Sequence, residues 1–190
     1  IETYNPYFTA ASFDRSGRYS YRNQPSACRW NLEMLQRPLS AVIPSSEMTA
    51  SLKLFSDFYT QAYNQKLLNK LGFLTLPSDL TQDLIGITLE LLLLTKINYH
   101  QFFDMLTQRF SRRWYYDANR IEQDLNLLVS GEQRSILSSW CELYHEILER
   151  HSIDEIDRVG QNLQKHNPAV AVTSAALEEI WEAIAQNNNW

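Results

Sequence analysis

Glu142, His145 and Glu149 lie three and four residues apart. On a helix that spacing sets one imidazole between two carboxylates, a donor set suited to a metal in a helical bundle. Such sites draw carboxylates from several helices, and no second Glu-x-x-His occurs in the chain. The trio also lies opposite an apolar stripe containing Trp140 and Leu143, so a solvated helix face is the expectation. The segment from Arg109 to Tyr116 reads Arg-Phe-Ser-Arg-Arg-Trp-Tyr-Tyr, a mixture that could stack bases and hold phosphates. In an acidic chain the expected arrangement is instead a helix end whose rings pack inward while Arg109, Arg112 and Arg113 stay wet. Cys28 and Cys141 are the two cysteines; each reads as a small buried hydrophobe rather than a nucleophile.

No Gly-rich phosphate loop, His-Glu-x-x-His or Gly-x-Ser-x-Gly occurs, which removes the simplest support for those enzyme classes. The 190 residues are 44% hydrophobic and 21% charged, enough to bury roughly 70% of the unfolded surface. With five Gly and six Pro, the composition favours helices over a turn-rich β protein. The net charge of −5 argues against a nucleic-acid partner over the whole surface and against a polybasic membrane protein. Arg15, Arg18, Arg22 and Arg29 against Glu2 and Asp14 nevertheless leave residues 1–30 positive. Two cysteines without metal-ligand spacing imply a reducing, cytoplasmic location. The apolar run at 84–97 is short of the roughly 20 residues that span a bilayer. The chain opens on Ile1 without an apolar leader and stops at Trp190; a start inside a longer protein and a cut end are the expectations.

These residues must be positioned by elements of two kinds. Residues 1–25 lack helical periodicity and carry Tyr4, Tyr7, Phe8, Phe13, Tyr19 and Tyr21 among turn signals such as Asn5-Pro6 and Ser16-Gly17. A segment so aromatic is expected to lie on a surface that covers its rings, either in this chain or in a missing neighbour. Residues 26–190 read as a helical domain. Ser26 opens a helix that Pro38 should end or kink. One long helix is predicted over 45–72, another from Pro77 to Lys96, and a shorter one over 99–110. A weak helix over 117–128, a strong one over 132–150 and two more over 153–165 and 173–186 complete the set, the last with Leu177, Ile180, Trp181 and Ile184 on one face. The chain therefore reads as all-α: an irregular N-terminal segment followed by a multi-helix bundle.

The most specific string is Gly17-Arg18-Tyr19-Ser20-Tyr21, then Asn23-Gln24-Pro25, then Trp30-Asn31-Leu32. It resembles the selenoprotein O (SelO/YdiU) family, which has Gly-Arg-Tyr, an aromatic residue, Gln-Pro and Trp-Asn-Leu at these spacings. Further resemblances follow at Lys70-Leu71-Gly72-Phe73, at Asn98-Tyr99 with Phe102-Phe103, and at Asn167-Pro168. Membership implies a protein-kinase-like fold that binds ATP with Mg²⁺ and transfers AMP to protein hydroxyls. It also implies that the metal-binding Asp, the nucleotide-cradling Lys and the catalytic residues lie upstream of Ile1. On that reading no catalytic, cofactor-binding or metal residue falls within this chain. Gly17, Arg18, Tyr19, Gln24, Pro25, Trp30, Asn31 and Leu32 are its family motif, and residues 1–25 stand in for an activation segment. The partners implied are the missing N-terminal catalytic lobe and the protein substrates, with no nucleic acid and no membrane. The 190 residues alone should not catalyse. The alternative is a stand-alone helical interaction module without catalysis; a weaker third is a single-strand binder through 109–116. Asn5-Pro6 replaces the family's usual Asp-Pro, Val172-Thr173-Ser174 replaces Leu-Arg-Asn, and the C-terminal Cys or selenocysteine motif is missing.

Overall fold

In the computed structural model, which describes residues 3–169 and 174–187, the chain is helical throughout, apart from loops and one isolated antiparallel bridge between Thr3 and Asn98. It divides into two compact units. One comprises residues 5–67; the other comprises 68–190 together with 1–4. Residues 1–2, 172–173 and 188–190, which carry the expected start, part of the family departure and the end, lie outside the described residues.

The first unit begins with the aromatic loop and a short 3₁₀ turn, Tyr21–Asn23. Helix α1, Gln24–Leu39, follows with Pro25 in its first turn, where the missing N–H costs nothing because that donor has no intrahelical partner. The second proline, Pro38, the expected end or kink of the helix, lies inside its last turn; α1 continues to Leu39, with the Ser40 N–H bonding back to the Gln36 carbonyl (3.0 Å). Helix α2, Ser45–Lys53, and α3, Phe55–Lys70, replace the single helix predicted over 45–72. The break is local. The Leu54 N–H bonds to the Ser51 carbonyl (3.2 Å), tightening the last turn of α2 to 3₁₀ geometry before the chain re-enters a helix at Phe55. Helix α3 runs on past residue 67 into the second unit.

In the second unit α3 ends at Gly72, whose φ of +93° only glycine adopts freely. The Phe73 N–H then reaches back to the Leu68 carbonyl (3.1 Å), satisfying an end carbonyl in the manner of a Schellman turn. Helix α4, Ser78–Thr95, buries Leu80, Leu84, Ile85, Thr88, Leu91 and Leu92 and packs against α7. Helix α5, Tyr99–Arg109, is capped by the Asn98 side chain, which accepts from the His100 and Gln101 N–H groups. Within the basic aromatic segment expected to be a helix end, the chain forms a 3₁₀ turn, Arg112–Tyr115, capped by Ser111. Helix α6, Ala118–Leu125, α7, Glu132–Glu149, α8, Ile153–His166, and α9, Ser174–Asn187, follow. A reciprocal Ser152–Glu155 capping box opens α8, and its carboxylate accepts from the Ser152 N–H at 2.8 Å.

The core of this unit is aromatic. Trp140 and Tyr144, one turn apart on α7, stack with ring centroids 4.8 Å apart; Phe102 and Trp114 pack edgewise against them and Phe73 lies tilted against Tyr144. Each such side chain fully buried contributes about 1.5–3 kcal/mol. The polar atoms among these rings find partners: the Trp140 indole N–H donates to Thr88 Oγ1 (2.9 Å) and the Tyr144 hydroxyl to the Leu71 carbonyl (2.9 Å). That burial pushes the Tyr144 hydroxyl far above its ordinary pKa. On the face predicted for α9, Leu177, Ile180 and Trp181 are exposed.

Candidate functional site

Loop 5–22 is built on one carboxylate. Asp14 accepts from the backbone N–H of Tyr19 (2.7 Å) through Oδ2 and from the N–H of Arg18 (3.0 Å) and the Ser16 hydroxyl (3.1 Å) through Oδ1. The Tyr19 N–H above all, with that of Arg18, holds its carboxyl below the usual carboxylate range. Gly17, at φ +69°, supplies the left-handed turn that lets successive amides converge on it. The motif residues then close on each other. The Gln24 amide donates to the Tyr19 carbonyl (2.7 Å), and the Asn23 amide donates to the Gly17 carbonyl (2.9 Å). The Arg18 guanidinium lies 4.2 Å from the Trp30 ring centroid and 5.7 Å from that of Tyr19. Pro25 starts α1, which presents Trp30, Asn31 and Leu32 at its exposed surface. The string is thus a clip that fixes the loop onto the start of α1; Asp14, its hub, reads in the sequence as a turn signal and a countercharge to the nearby arginines, and only its bonds to the Tyr19 and Arg18 amides make it the hub.

Beyond the clip, α1, α2 and α3 leave an open groove of about 500 Å³, lined by Leu32, Leu35, Leu39, Met48, Phe55 and Phe58 among others. Leu35 is 51% and Phe58 65% exposed.

A second knot lies in the other unit. Lys70 Nζ donates to Asn167 Oδ1 (3.1 Å), while the Asn167 amide donates to the Lys70 carbonyl (2.8 Å) and to Thr107 Oγ1 (3.1 Å). The same ammonium lies 4.6 Å from the Phe103 ring centroid and 5.7 Å from that of Tyr99. Burial lowers the Lys70 pKa. The Asn162 amide donates to the Gly72 carbonyl (3.1 Å). Lys70, Gly72, Tyr99, Phe103 and Asn167, drawn from three separate matches in the sequence, therefore meet around the end of α3.

A family model described as Protein adenylyltransferase SelO matches residues 1–190. The chain belongs to the SelO family. Similar curated relatives carry the name Protein nucleotidyltransferase YdiU. That of Trichormus variabilis is 40% identical over the whole chain and 39% of the relative; that of Gloeobacter violaceus is 41% identical over the whole chain and 38% of the relative. The match extends to Salmonella schwarzengrund, 27% identical over 99% of this chain and 37% of that protein. This SelO-family chain thus spans about 39% of the length of the curated relatives it matches.

Elsewhere this SelO-family chain corrects several expectations. His145 is not on a solvated face: its side chain is 17% exposed and its Nδ1–H donates to the Trp114 carbonyl (2.7 Å). Nε2 lies 3.6 Å from Glu149. His145 thus ties α7 to the 3₁₀ turn, and among the described residues no group of three or more His, Cys, Asp or Glu is placed to hold a metal. In the basic aromatic segment Trp114 is buried and donates to Asp124 (2.7 Å) as expected, but Tyr116 is exposed, so the rings do not all pack inward. Its arginines are exposed but two are bonded: Arg109 caps the α6 end through the Asp124 (2.9 Å) and Leu125 (2.5 Å) carbonyls, and Arg112 forks onto Asp157. Cys28 is exposed, contrary to the expected burial, because α1 turns that position away from Ala27, its buried residue. Cys141 is buried as expected, and burial pushes its thiol up to about 12. Among the described residues no helix is long and apolar enough to cross a membrane.

Proposed function

We propose that this chain is the helical supporting part of a protein adenylyltransferase, which transfers AMP from ATP to protein hydroxyls with Mg²⁺, and that the catalytic residues lie upstream in the family protein. One observation carries the reading: the helices of residues 5–67 leave a large apolar groove uncovered in a chain that spans about 39% of its relatives. Uncovered apolar surface on this scale marks an interaction site, and the catalytic lobe is the occupant this reading assigns. Residues 1–25 then act as an activation-segment equivalent and residues 26–190 as the helical domain, in the cytoplasm. The residues present do not fit ATP or Mg²⁺. The sequence has no Gly-rich phosphate loop, and the described residues gather no metal-binding cluster, so no step of the transfer is assigned to this chain.

The test is transfer of label from α-phosphate-labelled ATP to protein. The 190 residues alone should transfer none, and the chain extended to the full length of its relatives should label. In the extended protein, Leu35→Asp with Phe58→Asp should lower labelling strongly. Labelling by the isolated 190 residues would refute the division of labour. Absence of labelling in both forms would favour the stand-alone interaction module.

A further inference from the structure

Apart from the groove and the Lys70 knot, the most exposed aromatic surface of the N-terminal unit is the outer face of loop 5–22. Phe13 is 80% and Tyr7 68% exposed, and Phe8 and Tyr19 are also exposed. The expectation that these rings would be covered is unmet within the described residues. They are interleaved with arginines, and the one carboxylate of the loop is turned into the loop's own backbone amides. Among the described residues Arg15, Arg18 and Arg22 pair with no carboxylate; Arg22 donates to the Tyr7 hydroxyl (3.4 Å) and Arg18 rests on Trp30. Charge follows the same division: residues 5–67 hold seven Lys and Arg against four Asp and Glu, a net +3, while the rest of the chain carries −8.

We propose that loop 5–22 is a docking surface for an acidic segment of a client protein, one bearing Asp or Glu beside an apolar side chain. Guanidinium groups next to open aromatic faces recognise carboxylates by charge-assisted hydrogen bonds and bury an adjacent apolar group on the rings. The loop is held by its Asp14 hub before any partner arrives, so little ordering entropy is lost on binding. A nucleic acid fits less well. A face of Trp30, the largest ring beside the loop and the one on which a base would stack, is already occupied by Arg18. That the segment belongs to a protein being modified rests on the transferase reading; the binding itself does not.

The test is fluorescence anisotropy with the full 190-residue chain and a dye-labelled peptide of about a dozen residues alternating Glu or Asp with Phe and Leu. The peptide should bind, and raising salt through the range where surface charges are screened should weaken it about tenfold. Arg15→Glu with Arg22→Glu should weaken binding by about tenfold or more with the helical circular dichroism unchanged. Lys53→Glu with Lys66→Glu, an equal charge change on exposed positions of the same unit, should leave it within about twofold. Equal loss in both variants, no loss in the loop variant, or tighter binding of a single-stranded oligonucleotide of matched charge would overturn the proposal. In the extended protein, AMP transfer without peptide binding would sink this proposal alone, and peptide binding without transfer would sink the transferase reading alone.

Discussion

Lys70 and Asn167, 97 residues apart, exchange two hydrogen bonds, ammonium to amide oxygen at 3.1 Å and amide nitrogen to backbone carbonyl at 2.8 Å. The pair joins the end of α3 to the end of α8. Asn167→Ala would leave a half-buried ammonium and a helix-end carbonyl without that partner, at a cost of about 1–3 kcal/mol. Lys70→Met keeps the stem against Phe103 and should cost less. A double-mutant cycle by urea denaturation should show coupling of at least about 0.5 kcal/mol; strict additivity would mean the two bonds contribute nothing jointly.

Gly72→Ala should be among the more damaging single-methyl changes available. A Cβ there would lie 2.7 Å from Val159 Cγ1 and 3.1 Å from the Val159 carbonyl, on a backbone at φ +93°. Strain of the left-handed backbone and overpacking against α8 each cost about 1–3 kcal/mol. Gly86→Ala, where the new methyl meets nothing within 4 Å, lies inside α4 and should stabilise by up to about 1 kcal/mol. Thermal melts of the two variants should therefore move in opposite directions.

Acid should loosen the loop through Asp14. Its folded carboxyl titrates below the unfolded one, mainly through the Tyr19 N–H. The stabilisation is therefore complete above an unfolded value of about 3.9 and drains away as the pH falls through the lowered folded value. Asp157, held down by its bond from Arg112, and Glu155, held down by the Ser152 N–H, act in the same direction. Amide hydrogen exchange at Arg18 and Tyr19 should lose protection in that window. In Asp14→Asn the protection should be weaker and independent of pH; an unchanged acid response in that variant would remove Asp14 from its role as hub.

The two cysteines should differ sharply in reactivity. Cys28 is exposed, whereas Cys141 is buried on α7 with its thiol pushed up to about 12, which suppresses the reactive thiolate. A thiol reagent at neutral pH should modify one equivalent rapidly and the second only as the protein unfolds. Cys28→Ser should abolish the fast phase; a fast phase that survives it would contradict the burial of Cys141.

The sequence by itself determined the all-α class, the course of α4, α5, α7 and α8, and the family, because helical periodicity and the Gly17 to Leu32 string are short-range signals. The spacing of Trp140 and Leu143 announced an apolar stripe on α7, yet Leu143 is only half-buried while the fully buried line runs through Trp140, Tyr144 and Ile147. Spacing could not tell which polar residue meets which. His145 shares the helical spacing of a metal ligand yet bonds to the Trp114 carbonyl; Cys28, beside buried Ala27, faces outward; Lys70, Phe103 and Asn167 were separate matches until packing joined them. Local propensity acts over one or two turns of chain, whereas such pairings depend on how α3, α5, α7 and α8 pack, and only the tertiary structure decides that.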